Sequence, residues 1–157
     1  MKSMRLSRLS MGLLGAGLAL AAAAPARAAL GGDASSVEAD RVSMKGEVRS
    51  SSVSGFEVRE ITTAAGTRVR EYLSPGGKVF ALAWQGPVLP DLRQMLGAYY
   101  ARYAQAVSGP HPRGGHRHLS IEQPGLVVQV SGRMRAFSGR AWDPGLLPPN
   151  FSVNDIT

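Results

Sequence analysis

No cysteine occurs in the 157 residues, which excludes disulfide staples, thiol nucleophiles, thiolate-held zinc and iron–sulfur clusters. Aromatic residues are scarce at 6%, histidine occurs three times, and only one long apolar run is present, near the start. The usual catalytic signatures are missing too. There is no Gly-x-Ser-x-Gly elbow and no Ser-x-x-Lys pair, and neither Gly76-Gly77 nor Gly114-Gly115 matches a phosphate loop. These absences lead us to expect no enzyme and no cofactor.

What is present begins with an export signal. Lys2, Arg5 and Arg8 form a basic start, Met11 to Ala24 is an uncharged run of Leu, Ala, Gly and Met, and Ala26-Arg27-Ala28 supplies small residues after Pro25. Basic stretch, apolar stretch and Ala-x-Ala exit are the three parts of a secretory signal peptide, here residues 1–28 with cleavage between Ala28 and Ala29. A transmembrane anchor needs ~20 apolar residues to cross ~30 Å of hydrocarbon, and this run is shorter and rich in Ala and Gly. Signal peptidase is therefore an expected partner, no anchor is expected to remain, and the mature chain is placed in the periplasm or outside the cell. Arg5 and Arg8 are not adjacent, so the twin-arginine route has no support.

Cleavage changes the charge. The mature chain keeps 14 of the 18 basic residues against all 11 acidic ones, so the formal +7 falls to +3. The charges are interspersed, whereas a nucleic-acid binder needs a clustered basic face with aromatic platforms; no nucleic-acid partner is expected. The 129 mature residues suit one core, large enough to be held by packing alone. We divide them into a single domain over 29–142 and a Pro-rich tail over 143–157.

Local patterns indicate an α+β fold. Ser35 to Glu38 fits a capping box for a short helix to about Lys45. Ser50 to Gly55 reads as a mobile serine-rich connector. Strands are expected at Phe56–Thr63, Thr67–Leu73, Lys78–Trp84, His116–Glu122, Leu126–Ser131 and Arg133–Ser138. That makes five to six antiparallel strands, with hairpins at Ser74-Pro75-Gly76-Gly77 and Gln123-Pro124-Gly125. Strand 78–84 is apolar on both faces and so belongs in the middle of the sheet. Simple alternation puts Phe80, Leu82 and Trp84 on one face and Val79, Ala81 and Ala83 on the other. One main helix, about 90–107, carries the stripe Leu92, Met95, Leu96, Tyr99, Tyr103 and Val107. We expect that stripe to dock on Phe80, Leu82 and Trp84, with Phe80 touching Tyr103. The opposite face is left for the N-terminal segment. The tail past Trp142 has turn chemistry and no period, and reads as poorly ordered or strapped along the surface.

Few residues offer chemistry. All three histidines, His111, His116 and His118, fall within eight positions. His116 and His118 share a face if they lie on a strand, which is one way to offer two imidazoles to a metal. Arg113 and Arg117 oppose a cation there, and inward-pointing Leu119 and Ile121 would turn both histidines to solvent. Glu57, Glu60 and Glu71 are the acids that a glycosidase pair would have to use. Arg68, Arg70 and Glu71 flank Tyr72 as either a recognition surface or a salt-bridged solvent face.

One longer pattern stands out: Arg70-Glu71-Tyr72, then Gly77-x-Val79-Phe80-Ala81-x-x-Trp84-x-Gly86-Pro87, then Pro90-Asp91-Leu92 and Leu96-Gly97-x-Tyr99. Together with Leu30-Gly31-Gly32 it resembles a bacterial family of exported proteins known as domain of unknown function 2844. The resemblance spans about Leu30 to Ala106 and leaves out the histidine loop and the tail. It implies export and no assigned activity. The expected function is a non-enzymatic envelope or accessory protein binding another macromolecule; the alternative is a metal or small-ligand site using His116 and His118.

Overall fold

The computed structural model describes residues 29–33, 47–53, 55–109 and 118–157. The expected leader (1–28), the expected helix from Ser35 to Lys45, His111 and His116 lie outside the described residues. The chain forms strands β1 (Glu47–Val53), β2 (Phe56–Thr62), β3 (Arg68–Leu73) and β4 (Val79–Gly86). Helices α1 (Leu92–Leu96) and α2 (Tyr100–Ser108) follow, joined by a 3-10 turn over Gly97–Tyr99. Strands β5 (His118–Gln123), β6 (Leu126–Arg133) and β7 (Ala136–Trp142) come next, and a second 3-10 turn covers Val153–Asp155.

All seven strands lie in one antiparallel sheet with order β1-β2-β3-β4-β7-β6-β5. The first four form a meander. The helical segment then carries the chain over one face to the far edge, and β5, β6 and β7 return to pair with β4. The expected count of five to six strands is thus low by the edge strand β1, read above as a connector. Its sequence, Glu-Val-Arg-Ser-Ser-Ser-Val, is exposed at all but Val48 and carries no apolar alternation. Backbone pairing to β2 holds it, which periodicity cannot report. β7 also runs later than expected. Gly132 is no turn: it lies inside β6, where a Cβ would come 2.8 Å from Phe137 Cδ1. The chain reverses instead at Met134-Arg135, with Arg135 at φ 62.

β4 is central and covered on both sides, as its apolar run requires. The assignment of its faces needs one correction. β3 pairs Tyr72 with Ala81 but Leu73 with Val79, so Phe80 is an extra residue in β4. Such a bulge breaks the strict alternation of side chains. Val79, Leu82 and Trp84 face the helices, in a core with Leu92, Met95 and Leu96. Phe80, Ala81 and Ala83 face the other way. Phe80 therefore does not meet Tyr103. Its cover is the C-terminal segment, whose Leu146, Leu147, Phe151, Val153 and Ile156 pack on that face with Phe56, Tyr72 and Trp142. The tail is strapped on, with Asp143 N–H donating to Phe80 O (3.1 Å) and Tyr72 Oη bonded to Thr157 O (3.1 Å) and Thr157 N (3.0 Å). The N-terminal segment lies on the helical face instead, with Leu30 in that core.

Leu30 also explains why the helix is not continuous. Its N–H donates to Met95 O (3.0 Å), the carbonyl that Tyr99 N–H would take in an unbroken helix. Gly97 adopts φ +49 there, and a Cβ on it would lie 2.3 Å from Ala29 Cβ. Gly31 N–H then donates to Val79 O and Val79 N–H to Gly32 O, which ties residues 29–33 to both helix and sheet. Val107, the last residue of the expected stripe, is exposed beyond this packing.

Candidate functional site

The motif residues of the sequence assemble a structural hub. Tyr99 lies over Gly31, whose hypothetical Cβ would meet its ring at 3.0 Å, and donates a 2.6 Å hydrogen bond to Asp143 Oδ2. Arg102 sits 5.4 Å above the Tyr99 ring and donates to Pro124 O at 3.1 Å. N-terminal segment, helix, β5–β6 turn and tail are thereby joined at one phenol. Trp84 packs on Gly139, and Gly86 on Thr67, whose Oγ1 bonds both Val88 O and Val88 N. The positions that carry the sequence pattern hold the fold together.

Burial first, then the bond to Asp143, pushes the Tyr99 phenol up to about 12. A raised acid pKa means that the folded state favours the neutral phenol. That contribution is complete below pH 10, the ordinary value, and is lost as pH rises through about 12. Tyr99→Phe should lower stability at neutral pH by about 1.5 kcal/mol, the worth of a hydrogen bond to a charged group. It should also flatten the loss of stability between pH 10 and 12. Urea titrations at pH 8 and pH 11 check both; parallel losses in the two proteins would count against this role.

The candidate site lies elsewhere, on the tail face. The C-terminal segment covers only part of that face. Beside it a groove of about 770 Å³ remains open across β4, β7, β6 and β5, within the usual ~300–1,000 Å³ of ligand sites. Strand registers set its floor. One row runs Gln85, Ser138, Ser131, His118, and the next runs Ala83, Arg140, Gln129, Ser120. Ile156 and Thr157 form a wall. Arg140 is held in place, with Nε donating to Gln129 Oε1 (2.8 Å), Nη1 to Val153 O (2.9 Å) and its guanidinium 5.5 Å above the Trp142 ring. A second hollow of about 400 Å³ lies on the other side of the tail, against β1, β2 and β3. There Arg70 is already paired with Glu60 at 2.7 Å.

The residues singled out from sequence separate accordingly. His118 is exposed and lines the groove, while Leu119 and Ile121 turn to the helical core. Among the described residues no group of three or more His, Cys, Asp or Glu is placed to hold a metal. Glu57 is held below the usual carboxylate range by its hydrogen bond to Arg59, 2.8 Å away. Alternation puts Glu60 on the opposite face from Glu57 and Glu71, and Glu71 is buried. Arg68 and Arg70 face the tail side and Glu71 the helical side, so they do not form one surface. Gln129, Ser131, Ser138 and Arg140 were missed as site residues. Their only trace in sequence was the alternation of Gln129 and Ser131 in β6 and of Ser138 and Arg140 in β7, which reads as an ordinary solvent face.

A family model described as Protein of unknown function (DUF2844) matches residues 26–156, so it takes in the histidine loop and tail that the shorter resemblance omitted. No curated protein and no solved structure matches the chain. Among the described residues, no helix is long and apolar enough to cross a membrane.

Proposed function

We propose, from the premise that the chain belongs to the DUF2844 family, that it is an exported, non-enzymatic binding protein of the bacterial envelope. Its binding site is the tail-face groove. The observation that carries this reading is a concave, polar sheet floor left open next to a segment that seals the rest of the same face. Hydroxyls, amides and one fixed guanidinium converge there. Export draws support from the N-terminal pattern of the sequence. The occupant is another envelope macromolecule. A small-ligand reading has one observation in its favour, that His118 lines the same groove.

The test uses the full chain, tagged at its C-terminus and expressed in a bacterial host. The protein should be recovered from periplasm or medium with Ala29 as first residue. Ser131→Trp, which fills the groove floor, should abolish capture of envelope components while leaving the thermal midpoint in place. A mass that retains residues 1–28 in a membrane pellet overturns the export half. Equal capture by both proteins overturns the groove.

A further inference from the structure

The groove's electrostatics identify the chemistry of its ligand. Arg140 is a cation whose contacts are all neutral: an amide oxygen, a backbone carbonyl and the face of Trp142. No side-chain carboxylate pairs with it among the described residues, and none lines the groove, where Thr157 O already accepts from Arg70 Nη1 at 2.6 Å. Holding a charge partly out of water without a counter-ion is costly, and the cost is recovered when an anion arrives. Two of its nitrogens are fixed by internal acceptors, so Nη2 is left to donate. Gln129 accepts through Oε1, which leaves its amide nitrogen as a donor as well. The hydroxyls of Ser131 and Ser138 lie in the adjoining row with the amide of Gln85. Arg68, opposite Gln85 in register and exposed, extends the positive charge on that row. In the neighbouring hollow the fixed cation, Arg70, is already paired with Glu60.

We infer that the groove binds an oxyanion, the chemistry shared by carboxylates and phosphate esters, with Arg140 as its charge partner. This rests on the groove being the binding site, and deepens it. A bound anion would accept from Arg140 Nη2 and from serine hydroxyls, which are charge-assisted bonds about twice as strong as neutral ones.

Trp142, beneath Arg140 on the groove face, reports on the site. Intrinsic fluorescence can therefore follow titrations of the mature protein with citrate, with pyrophosphate and with the neutral sugar raffinose. At low ionic strength we expect saturation below about 1 mM for citrate or pyrophosphate, and the tighter of the two names the source of the oxyanion. Arg140→Gln should weaken it at least about tenfold, Arg140→Lys should restore part of that loss, and added salt should weaken it in the unmutated protein. Ser131→Trp, which leaves the charge in place, should block it too. Failure of both anions to bind below about 1 mM overturns the inference. So does anion binding that survives Arg140→Gln and Ser131→Trp together. Raffinose binding blocked by Ser131→Trp, with no anion binding, would overturn the oxyanion and leave the groove as the site. Anion binding lost in Ser131→Trp, with envelope capture equal to that of the unmutated protein, would do the reverse.

Discussion

Phe80→Ala should remove about 3–5 kcal/mol of stability, the usual cost of truncating a buried Phe, from a total of ~5–15 kcal/mol. Phe80 is fully buried and is the centre of an aromatic cluster between the sheet and the tail. Its ring centroid lies 4.8 Å from Phe151, 6.2 Å from Tyr72 and 6.3 Å from Phe56, in tilted or edge-on arrangements. Truncation loses both the transfer energy of the ring and the partners of three others, so the tail should loosen along with the global stability. Urea titration gives the first effect, and proteolysis after Trp142 gives the second. A double-mutant cycle decides the face. Phe80 and Phe151 should couple by about 0.5–1.5 kcal/mol. Phe80 and Tyr103, on opposite sides of the sheet, should add to within about 0.5 kcal/mol. Coupling to Tyr103 with none to Phe151 would show that the bulge is misplaced.

Gly139→Val should cost about 3 kcal/mol or prevent folding, because the position has no room for any side chain. Gly139 in β7 lies opposite Trp84 in register, and a Cβ would fall 2.2 Å from Trp84 Cζ2 and 2.8 Å from the backbone oxygen of Gln129. The indole is itself 2% exposed, held between sheet and helices, and cannot swing aside. Gly139→Ala should be milder and still clearly destabilising. Trp84→Leu combined with Gly139→Ala should recover part of the loss relative to the sum of the two single changes, since the smaller side chain leaves space for the methyl. Full additivity in thermal denaturation would mean that the two do not share this contact.

The central strand, the main helix and the hairpins with turn chemistry were legible along the chain, because each is recorded in neighbouring residues. A run apolar on both faces, Val79 to Trp84, reads as a covered strand. Ser74-Pro75-Gly76-Gly77 builds its turn locally, with Gly77 at φ 75 and Ser74 Oγ accepting from Lys78 N–H. Leu92, Met95 and Leu96 bury one helical stripe as their spacing requires. The family was legible for the same reason, since its pattern lies in a few short stretches. Tertiary structure alone decided the rest. The bulge at Phe80 arises from pairing with β3, and it sends the ring to the face opposite the one alternation predicts. The edge strand β1 exists through backbone bonds to β2, to which its serines contribute no pattern. The break at Gly97 exists because Leu30, 65 residues earlier in the chain, takes the carbonyl of Met95. The groove likewise has no local signature. Gln85, Gln129, Ser131 and Arg140 come from three strands and become one floor through register, and the tail becomes their wall by closing over an aromatic cluster next to them. Such long-range pairings depend on which surfaces remain free after the core has formed, and no window along the chain contains that information.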